Sequence, residues 1–315
     1  MKRFITKIAI FSVAAYLIAL GLDAMISHGL VNYAGYPQQS WKEMRSGEYP
    51  ADIIIMGTSR ALEHYDPAVI DSITGLSSYN LGMGGYGINV ELMKYRYYCH
   101  YNPQPKYIIY DVDQILLSID KAVHGHQSEQ FLPLFYDCAI RKDLMDVGYS
   151  WVDAYVPMVR YWGYQTYSKR GLMECLNLKH YCDYPSYKGF TPDPDPWNPS
   201  RLHYTDSIPS YVNEDAKVMF MNFVQGCREG GVQLIFVTSP VYYWYVEMSP
   251  DWNRYVAWYD SIATVYGIPY LNYTEHPICR DSTLFNAGVH LTPESADMWS
   301  AVLSNDLINE QIIKK

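Results

Sequence analysis

Short apolar runs recur along the chain, and each is closed by a polar or turn-forming segment. The first, Ile53-Ile54-Ile55-Met56, stops abruptly at Gly57-Thr58-Ser59-Arg60. This pattern predicts a buried strand over 52–57 and a helix from about 60, stopped near Pro67. Ser77 to Leu81 predicts a short second strand, ending in the glycine-rich turn 82–87, and residues 88–101 have helical spacing. Lys106 to Val112 predicts a third strand with Asp111 and Asp113 at its end. Further on, 213–229 reads as a helix, 232–238 as a strong strand, 251–265 as a helix and 267–272 as a short last strand. Thr292 is placed to cap a closing helix over 293–313, with Pro293 in its first position. Alternation of strand and helix implies a parallel sheet covered on both faces, a three-layer α/β/α sandwich with a five-stranded, mostly parallel sheet.

The βα rhythm fails over residues 114–212, which are rich in Pro, Tyr and Trp. The run Thr191-Pro192-Asp193-Pro194-Asp195-Pro196-Trp197-Asn198-Pro199 excludes a helix or central strand, because its prolines carry no amide donor. The stretch reads as an insertion on the face where loops meet a site, with helices of its own such as one near 129–145. His124 and His126 fall in it and read as loop residues, with ligand binding or metal capture as the less favoured alternative.

The amino terminus has a different pattern. A basic start, Met1 to Lys7, precedes residues 8–22, which are uncharged and mostly apolar until Asp23. That run is short for a membrane span of about 20 residues, but Lys7 can snorkel and Ala24-Met25-Ile26 lie beyond Asp23. The basic flank predicts a cytoplasmic amino terminus and an exported remainder. The expected organisation is an anchor or signal segment at 1–26, a stalk at 27–50 and one domain at 51–315 carrying the insertion. Uncleaved, the segment makes a single-pass inner or plasma membrane protein with its main domain on the extracytoplasmic side. Cleaved, it leaves a secreted or periplasmic protein.

Composition narrows the picture further. Hydrophobic residues are 49% and charged residues 18%, enough apolar material for a full core. A formal net charge of -9 disfavours a broad nucleic-acid interface. The 32 tyrosines and 8 tryptophans supply core packing, or platforms for sugar faces. Of six cysteines, Cys175 and Cys182 are near enough in sequence for a small loop bridge, and no Cys-x-x-Cys pair points to a redox or zinc site.

Ser59 and His290 are the candidate chemistry. A serine where a strand ends stands at the carboxyl edge of a parallel sheet, and a neutral imidazole can take its proton. Donors for a developing oxyanion are available at the backbone of Thr58 or Ser59 and in the glycine turn, especially Gly82 or Gly85. That turn lacks a dinucleotide fingerprint. Arg60 follows the serine and either meets an anionic substrate group or pairs with Asp111 or Asp113. The two aspartates share one side of a strand, where strand-end hydrogen bonding is favoured over a metal site. No metal or other cofactor is expected.

Three blocks together resemble the SGNH (GDSL-like) hydrolase superfamily. They are Gly57-Thr58-Ser59-Arg60, Asn80-Leu81-Gly82-Met83-Gly84-Gly85 and Gly288-Val289-His290-Leu291-Thr292-Pro293. Membrane-anchored cell-envelope members, the DltD-like and alginate O-acetylation proteins, are the most similar in kind. The resemblance implies an SGNH/flavodoxin-like fold, Ser59 as nucleophile, His290 as base and Gly82 or Gly84 as the oxyanion glycine. Two departures stand out. The stretch after the third strand has Asp111 and Asp113 where the family has an asparagine. Ala287 fills the aspartate position of the usual Asp-x-x-His, leaving Asp281, Asn286 or a backbone carbonyl to orient His290.

The expected activity is an envelope-facing serine esterase or O-acyltransferase working through a Ser59/His290 dyad. Its substrate would be an acyl ester of a glycan or other cell-surface polymer, and a membrane acyltransferase is a conceivable partner. The alternative is an inactive glycan-binding or assembly protein of the same fold. A soluble nucleotide-binding protein is disfavoured by the amino terminus and the absent phosphate loop.

Overall fold

The computed structural model describes residues 1–119, 128–182, 184–195, 212–286 and 289–314. His124, His126, residues 196–211 and the pair Ala287-Gly288 lie outside them. The chain divides into two compact units, Met1–Lys42 with Lys121–Pro185, and Glu43–Asp120 with Ser186–Lys315.

The second unit holds the sheet. Its strands are β1 (Ile53–Gly57), β2 (Ser78–Asn80), β3 (Tyr107–Asp111), β4 (Gln233–Thr238) and β5 (Tyr270–Asn272). All pairings are parallel, in the order β2-β1-β3-β4-β5. This is the doubly wound, flavodoxin-like order, in which the carboxyl ends of β1 and β3 border the crevice where the winding reverses. Register places Gly57 opposite Asp111, and Asp111 opposite Val237.

The strands are apolar along their length because both faces are covered. Ile53, Ile55, Ile109, Ile235 and Val237 join one core with Tyr65, Ile70, Trp299, Leu303 and Leu307. Those partners come from the residue after α3 (Ser59–His64), from α4 (Pro67–Thr74) and from the closing α12 (Pro293–Asn309), and Ala61 of α3 joins them. Residues of opposite parity face the other layer. Tyr110 and Phe236 pack on Phe220 of α9 (Glu214–Glu229), and Phe236 meets Tyr259 of α11 (Trp252–Tyr266). On that side α9 also packs on α5 (Ile88–Tyr101) through Tyr95 and Phe223. Truncating a buried ring such as Trp299 would cost about 3–5 kcal/mol.

Pro67 does not simply end the first helix, as the pattern suggested. That helix stops at His64, and Pro67 opens the next, with the Asp66 carboxylate accepting from Ala68 N–H at its start. Proline suits a first helical position because its missing N–H has no intrahelical partner there.

The first unit contains α1 (Lys2–Val31), the beginning of α2 (Gln38–Ser46), a 3-10 segment over Ser128–Tyr136, α6 (Cys138–Asp146), α7 (Trp151–Tyr155) and α8 (Gln165–Cys175). α1 is long and apolar enough to cross a membrane. Its carboxyl end packs within this unit: Ser27 Oγ meets Tyr161 Oη at 2.6 Å, and Tyr33 stacks on Tyr181. The segment expected to be a stalk is therefore structured. Its early residues complete this unit, and the division between units falls inside α2.

The 114–212 insertion is not one body either. Residues 121–185 belong with α1, whereas 186–195 return to the sheet unit, where Phe190 enters the core. Cys175 and Cys182 are free thiols, as are the other four cysteines.

Candidate active site

The turn after β1 is made by Gly57, at φ 138°. A Cβ there would sit 2.8 Å from the Asp111 carbonyl oxygen and 2.9 Å from the Ala61 Cβ, so only glycine permits the bend. Ser59 then becomes the first residue of α3 at the carboxyl edge of the sheet. The chain returns to this edge before α12, where Phe285 and Leu291 bridge and Asn286 N–H donates to the His290 carbonyl at 2.9 Å. Thr292 caps α12 by accepting from Ser295 N–H. That closure presents the His290 ring: its Nε2 lies 2.8 Å from Ser59 Oγ. Both residues are half-buried, close enough to react and open enough to be reached.

The other ring nitrogen has an acidic partner. Glu63 Oε2 lies 3.5 Å from His290 Nδ1. Glu63 was not singled out in the sequence, yet it follows Ser59 by four residues, and positions i and i+4 share one face of a helix. A glutamate one turn after a serine that opens a helix was the available signal. The Glu63 charge facing Nδ1 favours the tautomer with its proton there, which leaves Nε2 as the acceptor for the Ser59 hydroxyl proton. The arrangement is serine, histidine and acid, with the acid carried by the helix that Ser59 begins.

The orienting residues expected from sequence are otherwise engaged. The Asp281 carboxylate accepts from Thr283 N–H and Oγ1–H, capping a short 3-10 turn. The Asn286 side chain donates to the Asp193 carbonyl at 3.4 Å. Asn286 thus holds the histidine's segment through its backbone. Position 287 lies outside the described residues.

Arg60, Asp111 and Asp113 form a buried polar lock beneath the site. The Arg60 guanidinium lies 3.1 Å from Asp111 and 3.6 Å from Asp113, and donates to the Ser239 and Val112 carbonyls. Burial penalises this cation, but Asp111 and Asp113 together outweigh that and hold it above its ordinary range. Burial pushes the Asp111 carboxyl up, against the opposing pull of Arg60. Asp113 also accepts from Thr58 Oγ1–H at 2.6 Å and from Leu116 N–H at 2.8 Å. With its side chain 5% exposed, Arg60 pins the β1 turn to the ends of β3 and β4 rather than meeting a substrate anion.

His64, next to Glu63, extends this lock. Its Nε2 accepts from Leu291 N–H at 3.1 Å, which leaves Nδ1–H to face Ser239 Oγ at 3.1 Å. Ser239 in turn donates to Asp111 at 2.5 Å. These partners fit one neutral tautomer. Burial drives the His64 imidazole well below its ordinary range, with the charges of His290 and Arg60 adding to the effect.

The glycine turn crosses the start of α3. Gly82 N–H is taken by Asn80 Oδ1 at 2.8 Å, so it has no free donor for an oxyanion. A Cβ at Gly82 would sit 2.3 Å from Leu62 N, so its role is close packing on α3. The Asn80 amide group also donates to the Ala61 and Tyr65 carbonyls, and buried Lys94 donates from Nζ to the Gly82 carbonyl at 3.2 Å. Burial pushes the Lys94 ammonium down to about 7. Gly84 is the glycine beside Ser59: a Cβ there would lie 3.7 Å from the Ser59 Cβ. Gly85, at φ 77°, makes the turn and faces open space. Among the described residues, the Ser59 and Gly84 amides make no backbone hydrogen bond, so both are available donors. No cluster of potential metal ligands occurs among the described residues.

The sequence matches no family model and no curated protein. Solved structures similar to this chain are distant from it in sequence. A candidate acylhydrolase from Bacteroides fragilis is similar over 88% of this chain and 98% of its own, at 11% identity and a TM-score of 0.44. A candidate lipolytic protein of the G-D-S-L family from Desulfitobacterium hafniense is similar over 81% and 98%, at 10% identity and a TM-score of 0.41. A GDSL-like lipase from Bacteroides thetaiotaomicron is similar over 87% and 97%, at 10% identity and a TM-score of 0.42.

Proposed function

We propose that this chain is an SGNH-type serine esterase or O-acyltransferase, held at a membrane by α1 and acting on an acyl ester of a glycan or cell-surface polymer. The observation that carries the reading is the contact series Ser59 Oγ, His290 Nε2, His290 Nδ1, Glu63 Oε2. In the first step Ser59 Oγ attacks the ester carbonyl while its proton passes to His290 Nε2. Negative charge gathers on the former carbonyl oxygen, where the Ser59 and Gly84 amides can receive it. The imidazolium, steadied by Glu63, returns the proton to the departing alkoxide and leaves an acyl-Ser59. Water or a sugar hydroxyl then gives its proton to His290 and takes the acyl group, His290 returns that proton to the departing Ser59 Oγ, and the choice of acceptor separates hydrolysis from transfer.

The exposed apolar surface of α1 and the basic residues in its first turns favour an anchored protein with its sheet unit on the extracytoplasmic side. The DltD-like and alginate O-acetylation proteins are the cell-envelope relatives this reading points to.

The deciding experiment is active-site labelling. Purified full-length protein should react with a fluorophosphonate and turn over a small acyl ester, and Ser59→Ala should abolish both. A folded wild-type protein that neither labels at Ser59 nor turns over acylated envelope glycans would instead favour a binding or assembly role.

A further inference from the structure

α1 changes character at one residue. Its side chains are exposed from Phe4 through Leu22 save a half-buried Ala19, and its first buried residue is Asp23. At 1.5 Å per residue the exposed stretch is about 28 Å long, close to the roughly 30 Å of a bilayer's hydrocarbon core. Asp23 is also where the rest of this unit takes hold. Its carboxylate pairs with Arg160 and accepts from Met158 N–H at 2.7 Å and Tyr136 Oη–H at 2.8 Å. One turn further, Ser27 meets Tyr161. Residues 136 and 158–161 therefore stand at the level where the exposed helix ends.

Large rings are exposed at that level. Trp162, directly after Tyr161, is 86% exposed, and Trp151 and Tyr155 of α7 are 67% and 58% exposed. α7 is tied to the same level by Arg160, which donates to the Asp153 carbonyl at 3.4 Å. Such rings are the side chains that settle among lipid headgroups, where an apolar body and a polar tip are both satisfied. We infer that Trp151, Tyr155 and Trp162 form an aromatic patch that seats this unit on the bilayer surface beside the foot of α1. The inference rests on α1 being a membrane anchor. Lipid is the occupant because these residues are tied to α1 at Asp23, where its exposed stretch ends and hydrocarbon would give way to headgroups.

The test uses the full chain in nanodiscs of phosphatidylethanolamine and phosphatidylglycerol. Hydroxyl-radical footprinting is read residue by residue, beside photo-crosslinking from phospholipids with a diazirine near the headgroup or deep in the acyl chain. Leu178 and Tyr184, exposed elsewhere in the unit, are the aqueous controls. After correction for intrinsic reactivity, Trp151, Tyr155 and Trp162 should oxidise at least about fivefold more slowly than the controls and crosslink to the headgroup probe. Phe11 should crosslink to the acyl-chain probe. If Phe11 crosslinks but Trp162 oxidises as freely as Leu178, the anchor stands and the patch is overturned. Rings protected without lipid crosslinks would place a protein there and also overturn it. Failure of Phe11 to meet lipid would overturn the anchor itself.

Discussion

Glu63 reaches the Nδ1 side of His290 from the helix that begins with Ser59, at 3.5 Å. Ser59 and Glu63 are thereby fixed to each other by one turn of backbone, and the histidine arrives from the other end of the chain to lie between them. This predicts that Glu63→Gln lowers kcat/KM for ester turnover by about 10²–10⁴-fold, since the tautomer and the imidazolium both lose their support. Asp281→Asn should leave it unchanged, because that carboxylate caps a turn. Fluorophosphonate labelling rates on folded variants check both, and a Glu63→Gln rate within a few-fold of wild type would remove Glu63 from the reaction.

The two glycines near the serine should respond differently. Gly82→Ala drives a Cβ to 2.3 Å from the Leu62 amide nitrogen, a backbone atom that cannot step aside. We expect it to destabilise the fold by about 3 kcal/mol. Gly84→Ala places its Cβ at an ordinary 3.7 Å from Ser59 and should fold normally. Denaturant melts of the pair distinguish them, and equal stabilities would refute the packing argument.

Arg60 acts on stability. Replacing it with Met leaves Asp111 and Asp113 buried beside each other without their cation. A loss of about 3–5 kcal/mol is expected, as for other broken buried pairs. An Arg60→Met protein with a wild-type unfolding midpoint but weakened binding of anionic esters would show that the residue serves substrate instead.

His64 should make stability depend on acid. Its folded-state proton affinity is far below the ordinary value of about 6.5 that it regains on unfolding. Below that pH the unfolded chain binds a proton that the folded one refuses, so stability falls as pH drops and is fully present above it. His64→Gln, which can still offer an oxygen to Leu291 N–H, should flatten the decline in melting temperature between pH 7.5 and 5. An identical pH slope in the variant would place the titrating group elsewhere.

The sheet was legible in the sequence because its signals are local. Each strand is an apolar run cut by Gly, Asp or Ser, and Thr292-Pro293 marks a helix start by side-chain chemistry alone. The meeting of Ser59 and His290 was legible for a related reason: each sits where an element begins or is about to begin, and strand order brings such ends to one edge. Glu63, Asn80 and His64 were not, because their roles depend on what stands opposite them. Glu63 comes within 3.5 Å of an imidazole only when the chain before α12 lays His290 across α3. The choice between substrate contact and internal pairing for Arg60 was likewise open until register set Gly57 beside Asp111. Asp23 read as an interruption of an apolar run, and packing made it the buried residue where α1 joins its unit. Periodicity and capping act over a few residues and can be read from a string. Which carboxylate meets which imidazole, and which cation neutralises which acid, is decided by distance in space.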